Sequence, residues 1–198
     1  MIPVKFILII LSIHFTILSC NNTEQSSVAQ NQDTIVRTLR NQSIPDETGD
    51  DELREIMTEY ISRYSSDYNF DSTFNRGSDN FQFKLRHHCL MDSAITISGR
   101  FVAMYNLDSF VTHNFESSLI LLKNKDTILN TKIDKANFLS FVESPVSEFG
   151  VLLPHPNIYL TENGIEIRYS LSIPLTDLGT GVAAMVGIDG GISFKDRF

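Results

Sequence analysis

The chain has 198 residues and a formal net charge of −8; 42% of its residues are hydrophobic and 20% are charged. This length suits one domain with accessory segments, and the composition is globular, which excludes a wholly disordered chain and a protein of many membrane spans. The acidic balance argues against nucleic acid and anionic lipid as partners, because phosphate binding requires clustered lysine and arginine.

Residues 1–19 predict an export signal. Lys5 precedes an apolar run from Phe6 to Leu18. A run of about 13 residues is typical of a signal peptide, and it is shorter than the about 20 apolar residues of a membrane-spanning helix. Removal of residues 1–19 takes away the single positive charge of Lys5, so the formal charge becomes −8 − 1 = −9.

The apolar run ends in the tetrapeptide Ile17-Leu18-Ser19-Cys20. It resembles the lipobox of bacterial lipoproteins, in which an aliphatic residue and a small residue precede an obligatory cysteine. The resemblance implies that the Cys20 thiol receives a diacylglyceryl group, that a peptidase cuts before Cys20, and that the new amino group is acylated. At about 0.8 kcal/mol per buried methylene, several acyl chains anchor a protein stably where one alone is marginal. The alternatives are an ordinary secretory leader and an uncleaved anchor.

The residue after the cysteine is Asn21. An aspartate at this position would resemble a signal that retains lipoproteins in the inner membrane of some Gram-negative bacteria. Since the residue is asparagine, we expect the lipid to lie in the outer membrane, with the domain on the periplasmic or the surface face of that membrane. In leader and layout the chain resembles small uncharacterised envelope lipoproteins of Gram-negative bacteria. The cysteines are Cys20 and Cys89, so acylation of Cys20 leaves no intramolecular disulfide, and stability must come from a packed core.

Residues 20–49 predict a flexible tether, because asparagine, glutamine, serine, threonine and aspartate dominate and too little apolar surface is available to offset ordering. Residues 50–198 are expected to form a single domain. Its first element is a helix capped by Asp50 or Asp51. The apolar residues of this helix recur at helical spacing and predict one core-facing stripe: Leu53, Ile56, Met57, Tyr60, Ile61 and Tyr64.

After a polar stretch at 75–80 the apolar period changes from helical to two, which is typical of a half-buried strand. Phe81, Phe83, Leu85 and His87 alternate there with Gln82, Lys84, Arg86 and His88. Ile95 and Ile97 begin a further strand, which we expect to continue through residues 101–105. Residues 119–122 and 127–133 predict a hairpin around Asn124-Lys125-Asp126, with its first strand central in the sheet.

The second half of the domain predicts a short helix and more hairpins. Asp134 is placed to cap a helix that runs to Val142. Residues 158–161 and 165–173 form a hairpin signal around Asn163-Gly164, a pair that tolerates the positive backbone angles of a tight turn. A last hairpin joins residues 182–188 to 192–194. The prediction is therefore an α+β fold: a mainly antiparallel sheet, an N-terminal amphipathic helix packed on one face, and a short second helix.

His87-His88-Cys89 draws attention as a metal or catalytic candidate, because imidazole and thiolate are common metal ligands. Neighbours on a strand point to opposite faces, so only His87 and Cys89 share a side. Whether His113 or His155 converges with them depends on tertiary packing, as does pairing with an acid such as Asp177. We expect Cys89 to be a buried small apolar residue and the histidines to be surface or edge groups.

No local signature of a hydrolase is present, so we predict no catalytic residue, no cofactor and no metal site. The leading hypothesis is a non-catalytic binding or accessory module held on the envelope by lipid on Cys20, with a protein or ligand partner. The first alternative is an inhibitor or immunity lipoprotein that neutralises a basic toxin or lytic enzyme. The second is an envelope hydrolase.

Overall fold

The computed structural model describes residues 51–196, all of which belong to one compact unit. The predicted leader, Cys20 and the predicted tether lie outside the described residues. The described part is mainly antiparallel β-structure, as predicted. In the described range, no helix is both long enough and apolar enough to cross a membrane.

Helix α1 spans Asp51–Ser62 and continues as a 3₁₀ turn at Arg63–Ser65. The predicted stripe is only partly buried: Met57, Tyr60 and Tyr64 lie in the core, whereas Ile56 is 41% exposed. The hydroxyls of Tyr60 and Tyr64 hydrogen-bond to Thr112 Oγ1 at 3.1 and 2.8 Å. These bonds hold the C-terminal half of the helix against the rest of the domain.

The first sheet has the strand order β1-β2-β5-β6. Its strands are β1 (Tyr68–Arg76), β2 (Asp79–Cys89), β5 (Phe115–Lys123) and β6 (Asp126–Ile133). The predicted central strand is confirmed, since β5 lies between β2 and β6. The predicted turn is confirmed as well, and Asn124 and Lys125 adopt φ angles of 51° and 78° there.

Strand β1 was not predicted. Asparagine, aspartate, serine and threonine occupy most of its positions, although Tyr68, Phe70 and Phe74 alternate and pack against the core. Pairing with β2 stabilises this strand despite its polar composition, because all nine residues pair in register with β2.

Residues 101–105 are not the strand that was expected. After β3 (Ile95–Ser98) the chain forms a helical turn, α2 (Gly99–Val102), and a 3₁₀ turn (Ala103–Tyr105). Strand β4 (Ser109–Thr112) then pairs with β3 in an antiparallel two-stranded sheet. The chain must reverse between these two strands, and the left-handed Asn106, at φ 54°, completes the reversal.

The second sheet has the order β11-β10-β9-β7, with β8 also paired to β9. Both predicted C-terminal hairpins are confirmed. The strands are β7 (Val151–Leu152), β8 (Asn157–Thr161), β9 (Gly164–Ser172), β10 (Gly179–Gly187) and β11 (Ile192–Asp196). Helix α3 (Val146–Phe149) precedes β7.

The segment that links the two sheets begins with the predicted cap. Asp134 accepts a hydrogen bond from the Ala136 N–H at 2.8 Å, and Asn137 Oδ1 accepts one from the Asp134 N–H at 2.9 Å. The element that follows is a 3₁₀ helix, Lys135–Phe141, and Phe138 is fully buried.

The inner faces of the two sheets share one hydrophobic cluster. Phe83 and Leu119 of the first sheet and Ile167 and Leu171 of the second are all fully buried. A hydrogen bond from the Tyr169 hydroxyl to Ser117 Oγ, at 2.9 Å, joins the sheets directly.

Candidate functional site

His87 is a core residue, 1% exposed, so the expectation of a surface or edge histidine is wrong. The alternation of β2 places it on the same face as Phe83 and Leu85, and its ring stacks on Phe115 at 5.6 Å between centroids. A neutral imidazole is flat and largely apolar, so it packs there as an aromatic once its nitrogens are accommodated.

The polar atoms of this region form a short chain. Ser117 Oγ accepts from the Tyr169 hydroxyl at 2.9 Å and lies 2.8 Å from His87 Nδ1. A serine hydroxyl accepts two hydrogen bonds and donates one, so Ser117 can pair with either neutral tautomer of His87. Burial lowers the pKa of His87 to about 4, which favours the neutral ring.

A serine bonded to a histidine is the pair that a hydrolase uses, but this pair has no access to a substrate. Ser117 is fully buried on the inner face of the first sheet, where it meets Tyr169 of the second. The Tyr169 hydroxyl occupies the serine oxygen, and burial raises the pKa of that phenol. The pair is therefore structural: it lies within the first sheet, and the Tyr169 hydroxyl links it to the second.

His113 is also buried, 8% exposed, which again corrects the expectation of a surface or edge group. Its Nδ1 accepts from the Ser93 N–H at 2.8 Å, and its ring meets Tyr64 edge to face at 4.6 Å. Asp92 braces the same loop, because its carboxylate accepts from Ala94 and Asn114. Burial raises the pKa of Asp92, but these hydrogen bonds outweigh it and the pKa is lowered.

Cys89 is a buried free thiol, as predicted. Burial raises its pKa to about 11, so the thiol is protonated at neutral pH. Its sulfur contacts Met91 Sδ at 3.8 Å. His155 is exposed and touches the Tyr68 ring, and Asp177 lies on the loop between β9 and β10. Across residues 51–196, three or more histidine, cysteine or acidic side chains nowhere meet in a geometry that could hold a metal ion.

A groove of about 690 Å³ lies beside helix α1 and has the size of a small-ligand site. We call it the α1 groove. Its first wall is α1, its second is the turn that begins at α2, and its floor is the β9–β10 loop with Leu153. The lining residues are Ile56, Glu59, Tyr60, Arg63, Arg100, Phe101, Met104, Tyr105, Leu153 and residues 172–178.

Three large apolar side chains converge on the α1 groove while exposed to solvent. Ile56 is 41% exposed, Met104 is 62% exposed and Leu178 is 41% exposed. A single exposed apolar residue is ordinary, but several that meet in one concavity mark a binding surface. Methionine is suited to such a surface because its flexible, polarisable side chain adapts to a ligand.

The charged groups of the α1 groove differ in their pairing. Glu59 of α1 forms an ion pair with Arg63, the first residue of the 3₁₀ turn that continues the helix. The Arg100 guanidinium lies over the Phe101 ring at 4.5 Å from its centroid. No salt bridge among the described residues includes Arg100 or Asp177.

The floor of the α1 groove is a rigid loop that contains backbone strain. Leu175 adopts φ 63°, in the left-handed region that costs a bulky residue about 1–3 kcal/mol. Thr176 Oγ1 donates to the Ile173 carbonyl at 2.8 Å, and the Ile173 N–H donates to the Leu178 carbonyl at 2.8 Å. These bonds brace the backbone of the loop on both sides of Leu175.

Sequence reasoning missed this groove. It assigned Ile56 to the core, and it included Met104 in a strand. The signal that was available is the position of Ile56 between Glu55 and Glu59, at the polar edge of the helical stripe. No local pattern marks Arg100 or Leu178.

Comparison with known proteins adds no family assignment: no protein-family model matches the chain, and no significant match is found among curated proteins.

Proposed function

We propose that this chain is a lipid-anchored protein of the bacterial cell envelope whose folded domain is a non-catalytic binding module. The anchor is lipid on Cys20 in the outer membrane, and the binding surface is the α1 groove. We also propose that the domain is α+β, with α1 covering one face and residues 135–141 as the short second helix. The ring contacts of Tyr60 with Phe110 and of Tyr64 with Phe115 support this placement of α1.

The observation that carries the binding function is the convergence of Ile56, Met104 and Leu178 on one groove. Leaving these side chains in water forfeits the roughly 25 cal/mol per Å² that burial of apolar surface provides. A ligand that covers them recovers that free energy.

The absence of catalysis is proposed from the chemistry of the same domain. Ser117 and His87 form the nucleophile–base pair that a hydrolase would use. Both hydrogen-bond inside the protein and are shielded from solvent. The α1 groove contains neither histidine nor cysteine in its lining.

Site-specific photo-crosslinking in cells tests the binding surface. A photoreactive phenylalanine replaces Met104, and a matched control replaces Leu160, which is 45% exposed and lies on β8 away from the groove. We expect a discrete mass increase of the protein on irradiation at position 104 and none at 160. Equal labelling at both positions, or none at 104, contradicts the proposal.

The anchor has a separate test. The wild-type chain should fractionate with membranes and carry added lipid mass at its N-terminus, whereas Cys20→Ser should lose both properties. If the Cys20→Ser chain matures and stays with the membranes as the wild type does, lipid on this residue does not hold the protein.

A second candidate function is inhibition of a basic toxin or lytic enzyme. The acidic side chains of α1 favour it, since Asp51, Glu52, Glu55 and Glu59 are all exposed. An acidic surface accelerates encounter with a basic protein through long-range attraction. A deletion strain grown beside toxin-producing neighbours should then lose viability, and unchanged survival removes this candidate.

A further inference from the structure

We propose that the α1 groove binds short apolar peptides whose amino and carboxyl ends are both free. The inference rests on the proposed binding function and deepens it by naming the ligand. Its basis is the juxtaposition of exposed apolar side chains with one unpaired cation on the second wall and one unpaired anion on the floor loop of the same groove.

The apolar part of the ligand is recognised by Ile56, Met104 and Leu178. Ile56 and Met104 come from the two helical walls, and Leu178 comes from the end of the floor loop. Side chains such as leucine fill the space between them and gain the free energy of apolar burial. A volume of about 690 Å³ suits a peptide of a few residues and is too small for a long segment.

Arg100 is the group that recognises the carboxylate end. Its guanidinium stacks on Phe101, which fixes the plane without using its N–H donors. A planar guanidinium matches a carboxylate by two parallel hydrogen bonds. Within residues 51–196 no carboxylate lies in ion-pair distance of Arg100, so these donors face the groove and solvent.

Asp177 is the group that recognises the amino end. It lies on the floor loop, two residues after the strained Leu175, and its side chain is exposed. It lies on a different element from Arg100 and beyond ion-pair distance of it. Glu59 and Arg63 neutralise each other on α1, which leaves Arg100 and Asp177 as the charges available to a ligand.

The placement of these charges on two different elements favours a peptide over zwitterions whose charges are adjacent. In a lysophospholipid the phosphate and the amine are neighbours at one end of the molecule, whereas in a peptide an apolar body separates the amine from the carboxylate. The α1 groove has its charges on two elements, with apolar surface of the floor loop and of Met104 also in the lining, which matches the peptide arrangement.

Calorimetric titration of the full chain in lipid nanodiscs tests the proposal. The ligands are trileucine with free ends, its N-acetylated form and its C-terminal amide. We expect acetylation and amidation each to weaken binding to the wild-type protein about fivefold, the effect of losing one exposed ion pair. Asp177→Asn should bind the free and acetylated peptides equally, and Arg100→Gln should bind the free peptide and the amide equally.

A matched control is Arg86→Gln, which removes an arginine that pairs with Asp67 outside the groove. This variant should retain the wild-type response to both modifications. If acetylation weakens binding to Asp177→Asn as much as to the wild type, Asp177 does not hold the amine and the proposal falls.

Two further outcomes overturn the peptide assignment: no heat of binding for trileucine at millimolar concentration, or tighter binding of lysophosphatidylethanolamine than of any peptide. Either outcome leaves the binding module standing if the crosslinker at position 104 still captures a ligand. If that crosslinking fails as well, the proposed function falls together with its ligand.

Discussion

The core between the two sheets and the α1 groove differ in how their polar side chains are paired. In the core, Tyr169 donates to Ser117, and Ser117 contacts His87, so these three side chains meet one another inside the protein, although His87 Nε2 has no hydrogen-bond partner within residues 51–196. In the groove, Arg100 and Asp177 have no ion-pair partner among the described residues, and Met104 is open to solvent.

This difference separates stability from function. A polar group that is buried and satisfied contributes to the folded state, and it is costly only when its partner is removed. A charged or apolar group that is exposed at a concave surface contributes little to stability, and it is free to contact a ligand. The largest effects of substitution on unfolding should therefore lie in the core, and the largest effects on ligand binding should lie in the groove.

The strongest test of this contrast is Phe83→Ala. Phe83 is fully buried and packs against Phe70 at 6.0 Å between ring centroids. We expect the free energy of unfolding to fall by about 3–5 kcal/mol, because the change removes apolar contacts and leaves a cavity. Urea denaturation measures the change. A loss below about 1 kcal/mol would show that the two sheets do not share a tightly packed core.

The next effect is a pH dependence of stability due to His87. Burial holds its pKa at about 4 in the folded protein against 6.5 for the free group. Above 6.5 both states are neutral, and His87 costs nothing. As pH falls from 6.5 to 4 the unfolded state binds the extra proton, so stability declines by about 3 kcal/mol in this window and not further below it.

Denaturation of the wild type and of His87→Gln at several pH values measures this slope. His155→Gln serves as the control for removal of an exposed histidine, and its charge is the last of the causes that lower the pKa of His87. The His87 variant should lose the about 3 kcal/mol due to His87 between pH 6.5 and 4, the control should keep most of it, and a residual slope from His113, whose pKa burial also lowers, should remain in both. A decline in His87→Gln as large as that of the wild type assigns the pH dependence to other groups.

A smaller effect is expected from Ser117→Ala. The change leaves the Tyr169 hydroxyl and His87 Nδ1 without their shared partner, which should cost about 2 kcal/mol. Ser118 offers a control one residue away on the opposite face of β5, where it is only partly buried. Ser118→Ala should change the free energy of unfolding by less than about 0.5 kcal/mol. Equal values for the two serines would mean that the buried chain contributes nothing specific.

The smallest effect on stability is expected from Met104→Ala in the groove. Met104 is 62% exposed, so the free energy of unfolding should change by less than about 0.5 kcal/mol. Binding of trileucine should weaken about fivefold in the same variant, because the methionine loses the apolar contact with the ligand. Calorimetry and urea denaturation on one preparation give both numbers. A variant that loses stability but not affinity reverses the contrast between core and groove.

The alternation of β2 was sufficient to place His87 on the apolar face, yet the residue type led to the wrong expectation of a surface group. The pattern was the better guide, because side-chain direction on a strand is fixed by the backbone, whereas the burial of a histidine depends on its partners. Its partner Ser117 lies 30 residues away in the chain, and Tyr169, which bonds to Ser117, lies a further 52 residues away. Such distances are invisible to local reasoning.

The predictions for the segment of strand β1 and for residues 101–105 were wrong for the opposite reason. In both segments local composition was read without the neighbouring chain. The polar residues of β1 form a strand because β2 offers a full set of backbone partners. Phe101 and Tyr105 are helical because the chain must reverse between β3 and β4.

By itself the sequence determined the antiparallel character of the described domain, the Asp134 cap and the hairpin turns, because each depends on residues close together in the chain. The export signal with its cysteine stays a prediction. Only the tertiary structure decided that His87 and His113 lie in the core and that Ile56, Arg100, Met104 and Asp177 line one groove. Burial and concavity are properties of elements brought together from distant parts of the chain, and no local spacing contains them.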